Sequence, residues 1–290
     1  MQALTIDPAV PFLVPESDTF TILLCGCGGT GSHVAQGLAR LAAHCRDSGG
    51  PQIQLAFVDG DIVEQKNVGR QLFSAADVGK NKAQVLAARF SAVFGLPIAA
   101  FPMMLADHRI DHAGYGILVG AVDSAAGRQY LSNQLHNWGW RLWCDCGNHE
   151  SSGQVVVGST GRQDVLKGAL KLPGLCAQLP TAPMLYPELL KEQPIRPRAD
   201  CAAAMQDNAQ SLMVNQMMAA ICLQYIYAIV IRRRLTTFQT VVDLDSLTMR
   251  SDPITATNLS KATGLTLAQL RGTKKKGKQH DNRTHKTIPR

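Results

Sequence analysis

The apolar residues of this chain form two kinds of pattern, and the two kinds alternate. Short, mostly apolar runs, typical of buried strands, occur at residues 21–25, 53–58, 98–101, 116–119, 141–144 and 154–157. Between them, apolar residues recur every three or four positions, as at Val34, Leu38 and Leu41 and within residues 81–94 and 125–138. That spacing is typical of helices with one buried face. The alternation predicts an α/β fold: a Rossmann-like, mostly parallel sheet with helices on both faces.

One long helix is predicted at residues 205–234. Within it, residues 212–231 are apolar except for Asn215, Gln216 and Gln224. A stretch of this length is also long enough to cross a membrane. Three amides and many small residues favour the other interpretation, a helix buried behind the sheet, so no membrane partner is expected.

The rest of the C-terminal half divides into three parts. Residues 159–200 contain six prolines and are expected to form an irregular surface insertion, the crossover loop. Residues 238–244 and 246–250 predict a hairpin, which gives the sheet a C-terminal antiparallel extension. We therefore expect a nucleotide-binding domain at residues 1–260 and a separate tail at residues 261–290.

The positive charge of the chain is concentrated in that tail. The whole chain has 29 Lys and Arg against 22 Asp and Glu, a net charge of +7. Residues 261–290 hold nine basic and one acidic residue, or +8, which leaves 20 basic and 21 acidic residues, or −1, for the remainder. Such a segment is predicted to be disordered. It either binds an acidic partner or nucleic acid, or serves only as a solubilising tail.

A glycine-rich loop follows the first predicted strand and opens the first predicted helix. Its glycines are Gly26, Gly28, Gly29 and Gly31. A strand, a glycine turn and a helix N-terminus together form an anion site, because free N–H groups and the helix dipole face the ligand. Taken alone, the pattern is equally compatible with a tight turn or with any Rossmann nucleotide domain.

Charged residues in the next 100 positions narrow the choice. Asp59 ends the second strand, where a carboxylate can accept hydrogen bonds from a ribose. Arg70 and Lys82 follow, and Asp123 ends a later strand. A hydride-transfer enzyme has no need of an Arg and a Lys on the phosphates. An enzyme that cleaves a triphosphate does, because negative charge develops on the phosphoryl oxygens.

Five motifs in this order resemble the ThiF/MoeB/HesA superfamily, the ubiquitin-activating-type adenylyltransferases. They are G-x-G-G-x-G from Gly26, D-x-D-x-V from Asp59, N-x-x-R-Q from Asn67, V-G-x-x-K ending at Lys82, and the strand-end Asp123. The resemblance covers residues 21–157. Within the superfamily, the ThiF-like protein of the PRTRC cassettes of bacterial mobile elements is the subgroup we suggest.

The resemblance implies ATP and Mg²⁺ as cofactors and assigns each residue a role. The four glycines and Asn67, Arg70 and Lys82 would contact the phosphates, Asp59 the ribose and Asp123 the magnesium. Gln71 would be part of the nucleotide site. Asp61 would bind the nucleotide or fix the loop, and Arg128 would have a supporting role. The alternatives without a functional role are a solvated strand-end carboxylate for Asp59 and a surface salt bridge for Arg70.

The cysteines give weaker indications. None of the eight forms a C-x-x-C pair, so the structural zinc of many relatives is not expected. Cys25, Cys27, Cys144 and Cys146 are predicted to be buried thiols. By the resemblance, Cys201 could accept the activated substrate, with a half-buried structural thiol as the alternative. The N-terminus lacks a basic segment followed by a long apolar one, so we expect no signal peptide and a cytoplasmic location.

The resemblance implies ATP-dependent adenylation of the C-terminal carboxylate of a small ubiquitin-like or sulfur-carrier protein with a glycine tail. A homodimer is expected, although the N-terminal Arg of dimeric relatives has no counterpart here before Arg40. One alternative is an ATP-binding partner subunit that does not turn over. An NAD-dependent oxidoreductase ranks last, because it leaves Arg70, Lys82 and Asp123 unexplained.

Overall fold

The computed structural model describes residues 7–105, 109–191 and 201–273, with the side chains of residues 201–212 left aside. Its strands are β1 (Phe12–Leu13), β2 (Thr19–Cys25), β3 (Gln52–Val58), β4 (Ile98–Phe101), β5 (Tyr115–Gly120), β6 (Leu142–Asn148), β7 (Ser152–Gly158), β8 (Arg234–Leu235), β9 (Thr237–Asp243) and β10 (Thr248–Pro253). Its helices are α1 (Gly29–Asp47), α2 (Lys82–Phe94), α3 (Ala125–Asn137), α4 (Gln163–Leu166), α5 (Ala182–Leu185), α6 (Cys201–Val230), α7 (Ala256–Thr263) and α8 (Leu267–Leu270).

Eight strands form one sheet in the order β10-β9-β7-β6-β5-β2-β3-β4. The five strands β6, β5, β2, β3 and β4 are parallel to one another. Beyond β6 the sheet continues with β7, β9 and β10, and each of these is antiparallel to its neighbour. The predicted fold class, with its C-terminal antiparallel hairpin, is confirmed. Between β2 and β5 the chain changes the side on which it adds strands, and ligand clefts form at such points in α/β sheets.

The sheet separates two apolar layers. Helices α1, α2 and α6 cover one face, and α3 covers the other. Alternate residues of β2 show the division, since Ile22 and Leu24 pack on the first side and Leu23 and Cys25 on the second. All four are fully buried, which explains why this part of the strand is an unbroken apolar run.

The helix ends are set by local capping. The side chain of Asn81 accepts a hydrogen bond from the Gln84 N–H at the start of α2, and Ser124 does the same for Gly127 at the start of α3. Gly95 ends α2 with a left-handed backbone conformation, φ 61°, which suits glycine. The first turns of both helices are therefore fixed close to Asp59 and Asp123.

Helix α6 packs against α1, β6 and β7. By length and composition its segment Met213–Val230 could cross a membrane, and half of that segment is buried within the fold. The buried side chains, among them Met218, Cys222 and Ile226, face the sheet. This packing confirms the predicted helix behind the sheet.

Two segments are more ordered than expected. In the insertion predicted to be irregular, Leu166, Cys176 and Leu179 are buried in the main core, because this part of the chain covers the ends of β7 and α8. The domain division expected at residue 260 stays a prediction, but ordered structure continues beyond that position. Helices α7 and α8 continue to Leu270, which is fully buried, and the described chain ends at residue 273. Residues 274–290 of the predicted tail lie outside the described residues.

The N-terminal segment is joined to the last third of the chain. Strand β1 pairs with β8, Val10 donates a backbone hydrogen bond to Ile254, and Asp7 accepts one from the Thr257 N–H at 2.8 Å. Phe12 on β1 is buried in the main core. This segment is therefore part of the folded domain.

Candidate nucleotide site

A cleft of about 540 Å³ opens where β2, β3, β5 and β6 end, at the point where the order of the strands reverses. Its walls contain most of the residues singled out from the sequence: Gly26, Gly28, Gly29, Asp59, Asp61, Asn67, Arg70, Gln71, Lys82 and Asp123. Gly31 lies within the first turn of α1, directly behind this wall. The parallel order of the strands brings these residues together, although they are spread over about 100 positions of sequence.

Three of the four glycines in the loop have no room for a side chain. A Cβ on Gly26 would lie 2.5 Å from the Ala121 carbonyl oxygen, and its φ of +89° suits glycine alone. A Cβ on Gly31 would lie 1.9 Å from the carbonyl oxygen of Gly26. Gly28 caps α1 without a side-chain hydrogen bond, and the first turn of α1 has no acidic residue. The helix N-terminus thus faces the cleft ready for an anion.

Asp59 holds the loop in place. Its carboxylate accepts hydrogen bonds from the Cys27 N–H at 2.6 Å and from the Asp61 N–H at 2.8 Å. Burial raises the pKa of Asp59, and these two hydrogen bonds oppose the rise. Asp59 is therefore tied to the loop backbone, and its role in binding a ribose stays a prediction. Each carboxylate oxygen keeps a further lone pair, so binding of a ribose is compatible with these contacts.

Lys82 is buried, with its ammonium group at the cleft. Its Nζ lies 2.9 Å from the carboxylate of Asp61, whose side chain is 57% exposed. An ion pair with an exposed carboxylate is weak. An ammonium group has three N–H donors, so two stay available for a further acceptor such as a phosphate oxygen. The second D of the D-x-D motif thus orients the lysine.

The N-x-x-R-Q segment forms a tight turn beside the loop. Asn67 is buried, and its side-chain oxygen accepts the Glu64 N–H at 2.9 Å. Its own carbonyl oxygen accepts the Gln71 N–H at 3.0 Å. The side chain of Gln71 faces Gly28. This turn places the Arg70 side chain in the cleft wall.

Asp123 lies across the cleft from Lys82 and is exposed. Arg128, which is buried on α3, donates a hydrogen bond to the backbone oxygen of Asp123 at 3.3 Å and forms an ion pair with Asp145 at 3.4 Å. Burial raises the pKa of Asp145, and Arg128 opposes the rise. Arg128 therefore fixes the loop that carries Asp123, which agrees with its expected supporting role.

The charge of the cleft bears on metal binding. Three cationic side chains (Lys66, Arg70, Lys82) and four acidic ones (Asp59, Asp61, Glu64, Asp123) line it, a formal balance of −1. A triphosphate in such a cleft needs additional positive charge. Magnesium prefers hard oxygen ligands and few protein groups. The exposed carboxylate of Asp123 fits that preference.

Two asparagines join this cleft without having been predicted. Asn215 on α6 is buried, and its side-chain oxygen accepts hydrogen bonds from Thr30 Oγ1 at 2.8 Å and Asn148 Nδ2 at 2.6 Å. A Cβ on Gly29 would lie 2.4 Å from Asn215 Nδ2. Asn215 thus ties the glycine loop to α6 and to the end of β6. The sequence signal that could have revealed the role of Asn215 was an amide side chain within an otherwise apolar helix.

The candidate nucleophile Cys201 is the first residue of α6, and its side chain lies outside the described residues. The cysteine of the insertion, Cys176, is buried, and its thiol donates to the Gln178 carbonyl oxygen. Cys25, Cys27, Cys144 and Cys146 are all buried, as predicted. A role for Cys201 stays a prediction.

The fold and this cleft define a Rossmann-like protein with a glycine-rich anion loop at the switch point of its sheet. The chain belongs to the ThiF family, which matches residues 17–264. The family-level resemblance read from the motifs is thereby confirmed. The suggested PRTRC subgroup stays a prediction.

Individual relatives match over shorter stretches or at low identity. The NEDD8-activating enzyme E1 catalytic subunit of Caenorhabditis elegans is 30% identical over 135 residues, which cover 43% of this chain and 29% of that protein. The corresponding subunit of Dictyostelium discoideum is 31% identical over 121 residues, covering 41% and 25%. These matches thus span less than a third of either relative.

Solved structures with the same fold include MccB of E. coli with ATP and PaaA. The MccB structure has a TM-score of 0.54 at 17% identity and covers 81% of this chain and 64% of its own. For PaaA the TM-score is 0.55 at 17% identity, covering 81% and 72%. At these identities the likeness supports the fold alone.

Proposed function

We propose that this protein adenylates a carboxylate with ATP. The observation that carries the proposal is the convergence, in one cleft, of a closely packed glycine loop, the buried Lys82, Arg70 and the exposed Asp123. Membership of the ThiF family and the crystallisation of MccB with ATP support it.

The proposed reaction has a simple bond balance. A carboxylate oxygen of the substrate attacks the α-phosphorus of ATP, and the bond from that phosphorus to the bridging oxygen of the β-phosphate breaks. Pyrophosphate leaves with the electron pair, and the acyl-adenylate remains. The chain contributes positioning, through the loop glycines and the Asp59 carboxylate, and charge, through Lys82 and Arg70. Magnesium held at Asp123 would neutralise phosphate charge.

The substrate we propose is the C-terminal carboxylate of a small ubiquitin-like or sulfur-carrier protein with a glycine tail. The names of the relatives support a protein substrate, since one is a NEDD8-activating subunit and another is MccB in complex with N-formylated MccA. Later transfer to Cys201, a homodimer, a cytoplasmic location and contacts of the basic tail with an acidic partner or nucleic acid are predictions of the same hypothesis.

Pyrophosphate exchange tests the proposal. With the candidate small protein present, the wild type should incorporate labelled pyrophosphate into ATP. Asp123→Ala and Lys82→Met should each reduce exchange by about 100-fold or more, because phosphate charge is no longer stabilised where it develops. Asp164→Ala is the matched control, since Asp164 pairs with Arg162 on the exposed surface away from the cleft.

The outcomes separate three functions. Exchange that depends on Lys82 and Asp123 supports adenylation. Magnesium-dependent ATP binding without exchange, with every tested carboxylate substrate, would favour the partner subunit that does not turn over. Tight binding of NAD with no binding of ATP would refute both ATP-dependent hypotheses and favour an NAD-dependent oxidoreductase.

A further inference from the structure

Three buried thiols meet in the core directly below the candidate nucleotide cleft. Cys144 and Cys146 are two residues apart on β6 and so point to the same face of the sheet, and Cys222 faces them from α6. All three sulfur atoms lie within 4.8 Å of one another, and those of Cys144 and Cys222 are 3.5 Å apart. We call this group the thiol triad.

We propose that the thiol triad binds one thiophilic metal ion through three thiolates. A metal–sulfur bond of about 2.3 Å places three sulfur atoms about 4.0 Å apart when they surround the ion in a plane. The Cys144–Cys222 distance of 3.5 Å lies below that value and the upper bound of 4.8 Å for all three pairs lies above it. Little movement of the two elements is therefore needed to close the three thiolates around an ion.

The chemistry of the donors selects the class of ion. Thiolates are soft ligands that suit Cu(I) and Zn(II) and are poor ligands for Mg²⁺ or Ca²⁺. Cu(I) suits three sulfur ligands alone. Zn(II) takes a fourth ligand, which a water molecule could supply from the cleft, because Cys146 also lines that cleft. The site differs from the magnesium position expected at Asp123.

The surroundings give the ion a structural consequence. Asn215 lies seven residues before Cys222, two turns along the same face of α6, and Asn148 lies two residues after Cys146 on β6. The Asn215–Asn148 hydrogen bond and a metal in the triad would thus join α6 to β6 at two points, two turns apart along the helix. Metal binding would stiffen the elements that hold the glycine loop.

The test is metal retention by the full-length protein, reduced and kept free of oxygen so that disulfides do not form. One sample receives Cu(I) in the presence of the competing chelator bicinchoninate, and another receives Zn(II) with a chromophoric zinc chelator. We expect one of the two ions to be retained at one equivalent per chain. Cys222→Ser, which keeps the side-chain size but removes the soft ligand, should lose that equivalent.

Cys45→Ser is the matched control, because Cys45 is a buried thiol on α1 outside the triad. It should retain the ion like the wild type. X-ray absorption of the loaded wild type should show three sulfur ligands for Cu(I), or three sulfurs and one oxygen for Zn(II). Retention of neither ion, equal retention by Cys222→Ser, or fewer than three sulfur ligands would overturn the proposal. The X-ray absorption spectrum of the wild type tests the three-thiolate site even where a variant fails to fold. None of these measurements depends on ATP.

Discussion

Replacing Asn215 with leucine isolates the contact between α6 and the glycine loop. Leucine has a similar size and fits an apolar helix, but it cannot accept a hydrogen bond. The change removes the partner of the Thr30 hydroxyl and of the Asn148 amide. We expect a loss of stability, together with weaker nucleotide binding because the loop is no longer fixed.

The two orphaned donors do not contribute equally. Asn148 is exposed, so its amide can bond to water at little cost. Thr30 is only 6% exposed, and a buried hydroxyl without a partner costs about 1–3 kcal/mol. Leucine regains about 0.5 kcal/mol through its higher helix propensity. The free energy of unfolding should therefore fall by about 0.5–2.5 kcal/mol.

Urea unfolding measures this loss through the fluorescence of the buried tryptophans Trp140 and Trp143. At an m value of ~3 kcal/mol/M, the midpoint should fall by about 0.2–0.8 M. Gln216→Leu is the matched control, since Gln216 is the neighbouring amide on the same helix but is exposed. Its midpoint should stay near that of the wild type.

A double-mutant cycle adds the partner. Thr30→Val removes the hydroxyl, so in its presence Asn215→Leu should destabilise the protein much less. The reasoning is refuted if Asn215→Leu unfolds at the wild-type midpoint, or if the effects of the two substitutions simply add.

Two further predictions concern the loop and the acid limb of stability. Gly26→Ala should destabilise the protein and abolish ATP retention, because its Cβ meets the Ala121 oxygen. Gly49→Ala is the control: with φ +68° and nothing within 4 Å of its Cβ, it should cost only about 1–2 kcal/mol of backbone strain. Equal urea midpoints for the two variants and intact ATP retention by Gly26→Ala would contradict this. Burial raises the pKa of Asp77, but hydrogen bonds from Ser74 and Arg89 outweigh it, and the pKa falls below 3.8. Its stabilisation is therefore present above about pH 4 and lost as pH falls through the folded-state pKa, so the stability gap between wild type and Asp77→Asn should be clear at about pH 7 and shrink at about pH 3. A gap that stays constant would show that this carboxylate is not the titrating group.

The parallel half of the fold was predictable because its strands are buried on both faces. In β2 the four residues from Ile22 to Cys25 are all apolar, so the pattern is clear. The glycine loop and Asp59 were predictable for a related reason, since both follow strand ends that a parallel sheet brings to one edge. Local sequence was sufficient in both cases.

Contacts between distant parts of the chain were not predictable. Residues 261–273 are rich in polar side chains, yet Leu265 and Leu270 are buried, and Leu170 donates a backbone hydrogen bond to the Leu270 carbonyl. A few apolar side chains hold this segment because a surface already exists for them. Cys222 likewise meets Cys144 across 78 residues of sequence, a proximity that only the packing of α6 creates.

The pairing of β1 with β8 has a consequence for the order in which the protein is made. Phe12 leaves the ribosome early, but its partner Leu235 is translated 223 residues later. At synthesis rates of about 5–20 residues per second, the N-terminal segment waits for about 10–45 s before its partner exists. During that interval its apolar side chains are open to chaperones and to other nascent chains. The residues of β1 are therefore translated long before the residues that complete their native contacts.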